Sequence, residues 1–288
     1  MKKLFLILFT IICSLALLNI NSIIGAEDGI SISPVTKEVD LSPGTSLDSY
    51  ISVTNSTNEK TSLSLSAEEF NVTNYQYDYN FIKESDISNW VSFQDDLLLL
   101  GPNQTKNINY TIGVPLSAEP GGRYISIFVS SDKKFDSDES ILRQRLASLI
   151  YVNVEGEATR SGSIVSFNSP WLIINQPTWS AALRNSGTTH YRSRYNVNVA
   201  NLFDKKVSED KYGEALILPG TIRLITDNFN LPKYPGIYKI NYHIGLGDNP
   251  AFKQTKIVIY LPYYAIIVLF FALILSIIKI RSKVRKKP

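Results

Sequence analysis

Apolar and polar residues alternate with a period of two along most of this chain, the signature of strands that bury one face. Leu47, Ile51 and Val53 share one face of Ser46–Thr54. Leu63, Leu65 and Ala67 alternate with Ser62, Ser64 and Ser66. Ile108, Tyr110, Ile112 and Val114 alternate with Asn107, Asn109, Thr111 and Gly113. Ile125, Ile127 and Val129 follow the same rule, with Phe128 the exception on the outer face, and Ile150, Val152 and Val154 close the series. Turn signals separate them at Ser42–Gly44, Gly101–Asn103 and Pro120–Gly122. Asp86–Asp96 has room for a short helical turn, with Trp90 and Phe93 as core plugs.

A polar, glycine-flanked stretch at Gly156–Ser163 marks a domain boundary, and a second strand series follows it. Ile164, Val165 and Phe167 lead to Trp171–Ile174 and Ser180–Arg184; Asn185–Thr188 is a turn. Tyr195, Val197 and Val199 form another alternating run, Asp204–Gly213 reads as a charged hairpin loop, and Leu218-Pro-Gly is a turn. Tyr238, Ile240, Tyr242 and Ile244 alternate with polar partners, and Gln254–Tyr260 is the last strand. Short strands at this spacing predict antiparallel sandwiches, and the length suits two.

The two ends break the pattern. Lys2 and Lys3 precede an apolar run to Leu18 and small residues near Ala26, which reads as an export signal over residues 1–26. Ile257–Ile278 carries no charge and is followed by Lys279, Arg281, Lys283, Arg285, Lys286 and Lys287. About 20 apolar residues cross a bilayer, and a basic cluster behind them stays in the cytoplasm. The expected organisation is therefore signal 1–26, first domain 27–156, second domain 157–259, transmembrane helix 260–280 and basic tail 281–288. The bilayer contact is Leu261–Ile278, the protein crosses the cell membrane once, and the two domains lie outside.

Charge and chemistry narrow the function. The formal charge of +3 is set by the two ends, so the exported part is mildly acidic and no nucleic acid is expected as partner. The single cysteine, Cys13, lies in the signal, which leaves the mature chain without disulfides or thiol chemistry. His190 and His243 are the only histidines. No nucleophile elbow, phosphate loop or zinc pattern accompanies them, so no catalytic residue, cofactor or metal is expected. Asp136, Asp138 and Glu139 are oxygen donors that a calcium ion would accept, although the stretch Asp132–Glu139 reads first as a solvated loop. Asn55, Asn71, Asn103 and Asn109 head Asn-x-Ser/Thr sequons, glycan acceptors if the host uses them.

What remains is surface. Tyr75, Tyr77 and Tyr79 alternate with polar residues, and tyrosine offers a flat apolar face with a hydroxyl suited to sugars and proteins. With Arg123 and Tyr124 they form the candidate ligand-contact surface. The competing reading makes the tyrosines half-buried rings of an edge strand. It makes Pro120–Tyr124 a tight turn in which Gly121 and Gly122 supply φ > 0.

Asn89-Trp-Val-Ser-Phe, Leu97–Gln104, Ile108–Pro115 and Ala118-Glu-Pro-Gly-Gly-Arg-Tyr resemble the first domain of the WxL-interacting proteins of Gram-positive surfaces. Ile32-Ser-Pro-Val, the Leu41-Ser-Pro-Gly turn and Val53-Thr-Asn are similar as well, as are Leu183-Arg-Asn-Ser-Gly and Leu218-Pro-Gly-Thr-Ile-Arg in the second domain. The resemblance covers the whole layout. Here Arg123 interrupts the Pro-Gly-Gly-Tyr step. It implies an all-β protein: two immunoglobulin-like antiparallel β-sandwich domains in tandem, then one transmembrane helix. It also implies peptidoglycan binding by the first domain. The expected function is non-catalytic attachment at the cell surface, to wall peptidoglycan or to another surface protein. An export-side chaperone or assembly factor for surface proteins is the alternative, and a cell-wall hydrolase the third.

Overall fold

The computed structural model describes residues 29–95, 97–134 and 141–284. The expected signal, Asp136, Asp138, Glu139 and the end of the basic tail lie outside the described residues.

The first domain contains β1 (Ile30–Ser33), β2 (Thr36–Leu41), β3 (Ser46–Asn55), β4 (Thr61–Val72), β5 (Tyr79–Ile82), β6 (Val91–Phe93), β7 (Leu97–Leu100), β8 (Gln104–Gly113), β9 (Gly121–Lys134) and β10 (Ile141–Val154). One sheet runs β1-β3-β8-β6; the other runs β2-β10-β9-β4-β5, with β7 also on β4. The second domain contains β11 (Gly162–Asn168), β12 (Leu172–Ile173), β13 (Thr178–Asn185), β14 (Tyr191–Ala200), β15 (Lys211–Ile217), β16 (Ile222–Asn228), β17 (Gly236–Leu246) and β18 (Asn249–Tyr260). Its sheets run β11-β13-β16 and β12-β18-β17-β14-β15.

The two domains repeat one plan. In each, the first strand pairs antiparallel with the third (β1 with β3, β11 with β13). The chain then changes sheet, and the next strand pairs parallel with the last (β2 with β10, β12 with β18). The expected purely antiparallel arrangement is corrected by this one parallel pair per domain. It arises because the opening segment is shared between the sheets.

The alternating residues face inward. Ile51, Val53, Leu63, Leu100, Ile112, Ile125, Ile127, Ile150 and Val152 form the first core, with Trp90 and Phe93 packed against it. Trp179, Leu183, Val197, Ile217, Ile240, Tyr242 and Val258 form the second. Each such side chain contributes about 1.5–3 kcal/mol when fully buried. A 3-10 turn spans Ser88–Trp90, inside the stretch expected to turn. Phe128 does point outward, yet it is buried: Phe81 of β5 meets it edge-on at 4.8 Å and the Arg145 guanidinium lies 3.2 Å over its ring. The loop expected over Asp204–Gly213 ends earlier, because Lys211, Tyr212 and Gly213 pair with Val197, Asn196 and Tyr195. Gly213 is needed there, since an added Cβ would lie 2.3 Å from the Tyr195 ring.

Asn55 and Asn185 occupy matching corners, at the ends of β3 and β13. The Asn55 amide donates to the carbonyls of Glu59 and Gly101, and its Oδ1 accepts from Thr57. The Asn185 amide donates to Thr189 and Ile217 carbonyls, and its Oδ1 accepts from the Gly187 N–H. Both are fully buried. The Asn55 sequon is therefore a structural corner whose amide is already engaged.

Helix α1 (Tyr263–Val284) follows β18 after Leu261 and Pro262. The span expected from residue 260 thus begins later, because Ile257–Tyr260 pair with Gly236–Lys239 in the sheet. Among the described residues no helix is long and apolar enough to cross a membrane.

Truncating Asn185 removes the donor to two buried carbonyls, and truncating Asn55 removes the donor to two part-buried carbonyls and the acceptor of Thr57. Asn55→Ala and Asn185→Ala should each lower stability by ~3 kcal/mol, read by urea unfolding. An unchanged midpoint would show that the corners are dispensable.

Candidate functional site

The outer face of the β2-β10-β9-β4-β5 sheet is apolar too. Phe70, Tyr124, Leu149 and Tyr151 project from it and form a third buried cluster with Tyr77 and with Leu216 and Leu218 of the second domain. This explains the near-continuous apolar runs Tyr124–Val129 and Leu149–Val152, which mark strands buried on both faces.

Tyr77 is the pivot of this joint. It ends a turn in which the Asn74 carbonyl accepts its N–H at 3.2 Å and Asn74 Oδ1 accepts the Asp78 N–H at 3.1 Å. Its φ of 69° is left-handed, which costs a bulky residue about 1–2 kcal/mol. The Tyr77 hydroxyl accepts the Leu218 N–H and lies 3.0 Å from Thr221 Oγ1. The Arg223 guanidinium sits 4.4 Å above its ring. Burial pushes the phenol's pKa upward, so it stays protonated.

Other contacts complete the joint. The Tyr75 carbonyl accepts the Leu224 N–H at 2.9 Å, and the Thr188 carbonyl accepts the Gly122 N–H at 3.0 Å. Arg192 pairs with Glu38 of the first domain and, at 2.8 Å, with Glu214. His190 Nδ1 lies 3.4 Å from the Tyr124 hydroxyl, with its ring against Tyr124 and Tyr151. Burial lowers the His190 pKa and holds the ring neutral, and it pushes the Tyr124 and Tyr151 phenols up.

The expected ligand-contact residues land here. Tyr77 and Tyr124 are buried between the domains rather than presented to a ligand. The Tyr79 ring packs edge-on to Phe70 at 5.5 Å. Arg123 turns back to the carbonyls of Gly122 and Glu119. Tyr75 keeps an exposed ring but gives its carbonyl to the joint. Of the surface expected over Tyr75, Tyr77, Tyr79, Arg123 and Tyr124, Tyr77 and Tyr124 are therefore corrected to an interdomain seam, while the Tyr75 and Tyr79 rings stay exposed. Of the two glycines expected to supply positive φ, only Gly121 does, at 132°. Gly122 is required for space: an added Cβ would lie 2.0 Å from the Tyr124 hydroxyl oxygen.

Two surfaces of the first domain are candidates for a partner. The first is the free edge of β10. β2 covers only Leu149–Val154, and Ser148 is buried with its hydroxyl on the Pro34 carbonyl, so among the described residues no strand pairs with Ile141–Ala147 on the side away from β9. The Leu149 N–H points outward to the Val35 carbonyl at 2.8 Å, and by alternation the N–H and C=O of Arg145 and Ala147 point the same way. Arg145 does not guard this edge, because its guanidinium is folded back onto buried Glu68 and the Phe128 ring. β18 is also free over much of its outer side, but Pro250, Lys253 and Lys256 blunt it. The second surface is a groove of about 600 Å³ on the outer face of β3, β8 and β6, lined by Asp48, Tyr50, Phe93, Gln94, Asn109 and Thr111.

Family membership is not shown. No family model matches the chain, and no curated protein matches its sequence. Solved structures are similar at a distance. A chain of the chaperone–tip adhesin complex of CFA/I fimbriae is 14% identical, with 79% of this chain and 98% of that one covered and a TM-score of 0.41. The class 5 fimbriae chaperone CfaA is 14% identical, with 79% and 99% covered and a TM-score of 0.42. A chain of the Salmonella enterica SafA pilin–SafB chaperone complex is 10% identical, with 82% and 98% covered and a TM-score of 0.38. At these values the likenesses carry no assignment of function. Among the described residues no group of three or more His, Cys, Asp or Glu is placed to hold a metal.

The sequence reading missed both solvent-facing surfaces. The signal for the groove was a lone Tyr50 on an otherwise Ser/Asp/Thr face of β3. The β10 edge had no local signal, because its exposure depends on where β2 stops.

Tyr77→Ala should detach the seam while leaving both cores folded. The truncation of a buried aromatic costs about 3–5 kcal/mol. Limited proteolysis should then cut between residues 155 and 161 in the variant and not in the native chain; equal resistance would show that the seam does not depend on this ring. His190 gives a pH dependence of defined sign. Its folded pKa lies below the ordinary 6.5, so its contribution is complete above pH ~6.5 and is lost as pH falls toward the folded value. Melting temperature should drop below pH 6.5 with a smaller slope in His190→Gln, and identical slopes would remove His190 from the linkage.

Proposed function

We propose that this protein is a non-catalytic, membrane-held binding protein of the export side that captures another surface polypeptide by strand addition to β10. The edge over Ile141–Ala147, which no strand covers among the described residues, carries the reading. An extended segment laid along it would satisfy main-chain groups that now face water, and side-chain pockets on either face would select the partner. Such capture suits an assembly factor or an adhesion partner equally.

The membrane part rests on α1 and the sequence behind it. Ile267, Val268, Leu269, Phe270, Phe271, Leu273 and Leu275 are all exposed, so the helix is apolar all round. A helix of that kind belongs in a core or in lipid. With Ile257–Tyr260 held in the sheet and α1 starting at Tyr263, the uncharged part of the helix is Tyr263–Ile278, about 24 Å of rise against a hydrocarbon thickness of about 30 Å. The basic residues from Lys279 onward support a cytoplasmic C-terminus with both sandwiches outside.

A second reading, attachment to wall polymer, is favoured by the groove over β3, β8 and β6. Tyr50 gives an exposed ring beside Asp48, Asn109 and Gln94, a stacking platform with polar neighbours suited to a glycan.

Ala147→Pro removes an outward N–H without touching the β9 ladder. The variant should fold with a native circular dichroism spectrum and bind its surface-protein partner ~10-fold more weakly or worse, in pull-down from a surface extract beside the native protein. Undiminished capture would rule out the β10 edge. Loss of sacculus binding on Tyr50→Ala, with capture intact, would favour the polymer reading.

A further inference from the structure

The second domain has two ends, and only one carries exposed large apolar side chains in number. β18 runs to Tyr260 at the helix end, and the register brings three other segments to the same end. Gly236 and Ile237 pair with Tyr260 and Ile259. Leu172 and Ile173 pair with Ile259 and Tyr260 from the other side. Lys239, three residues from the start of β17, pairs with Ala200, so the loop after β14 also opens at this end.

Each of these segments exposes an apolar or aromatic tip. Trp171, just before β12, is 72% exposed while its carbonyl accepts the Ile259 N–H. Phe203, in the loop after β14, is 90% exposed, with Leu202 beside it. Tyr234 precedes β17 and is exposed, and Ile237 and Ile259 face outward as a directly opposed pair. Among the described residues Trp171 is the only exposed tryptophan, and Phe203 is the only exposed phenylalanine outside α1. An apolar crevice of about 450 Å³ continues this surface onto the helix, between Ile237, Ile259 and Tyr260 of the sheet and Tyr264, Val268 and Leu269 of α1.

Water is the wrong solvent for such a surface. The tips lie on separate loops, so no shared strand pattern forces them outward together. Tryptophan and tyrosine collect at the headgroup level of bilayers, where one side of the ring is apolar and the other wet. Lys205 and Lys233 are exposed on the same loops, within reach of lipid phosphates.

We propose that the helix-side end of the second domain is itself seated in the headgroup layer of a lipid bilayer, with Trp171, Phe203 and Tyr234 as interfacial anchors. This rests on the reading that α1 lies in lipid, and it adds that the domain docks on the membrane instead of standing off it. The crevice beside α1 then takes the upper part of an acyl chain.

The test uses the full chain in vesicles of phosphatidylcholine and phosphatidylglycerol, with or without phospholipid brominated near the top of its acyl chains. Trp171→Phe identifies the emission that belongs to Trp171. That component should be quenched roughly two-fold or more by the brominated lipid, and Phe203→Asp should relieve the quenching while the protein still floats with the vesicles. An unquenched Trp171 component in protein that floats would overturn the docking and leave the α1 reading standing. Protein that fails to float would overturn both.

Discussion

The seam between the two sandwiches is centred on one phenol. Tyr77 is held in a left-handed backbone conformation and reaches across the boundary to the Leu218 N–H and to Thr221. Around it Phe70, Tyr124 and Tyr151 exclude water, and that exclusion has consequences. It neutralises His190 and holds the phenols protonated, and the Tyr124 hydroxyl packs where a Cβ on Gly122 would lie. A tyrosine in that backbone region would be strained in an isolated first domain. The second domain supplies the donor and the apolar surface that offset the strain.

The partner side of this seam is rigid for a reason found twice in the chain. The Leu218–Thr221 turn is tied to the Asn185 corner: the Asn185 N–H is accepted by Thr221, and the Gly220 N–H is accepted by Asn185. The Asn55 corner fastens the matching Gly101–Gln104 turn of the first domain, where the Asn103 N–H bonds the Thr57 carbonyl. One device, a buried asparagine at a strand end, thus makes an internal corner in one domain and a docking platform in the other. The linker is clamped as well, since Thr159 and Ser161 accept from Thr188 and Ser186. Residues 155–161 accordingly act as part of the seam.

How far the sequence disclosed this depends on the range of each interaction. Period-two alternation exposed most of the long strands because it is local. Val53-Thr-Asn and Leu183-Arg-Asn carried the repeated corner, although only the carbonyls of Gly101 and Ile217, distant in sequence, show what the asparagines do. Tyr75–Tyr79 looked like a recognition surface because an aromatic cluster in a polar loop reads the same whether a ligand or a neighbouring domain covers it. The short β2, β5 and β7 gave too few residues for a pattern to emerge. The free β10 edge was invisible because openness is the absence of a neighbour, set by where β2 ends.

A fixed seam changes what the two exposed features mean together. Were the domains joined by a flexible linker, a membrane-held second domain would leave the β10 edge free to sample every direction. With Tyr77, Arg192 and the linker all engaged, the edge keeps one orientation relative to the helix-side end of the second domain. A polypeptide captured along β10 would then be presented at a set height and angle above the lipid. That geometry reduces the orientational freedom lost on each later contact, which is how a rigid two-domain arm would aid assembly without any chemistry of its own.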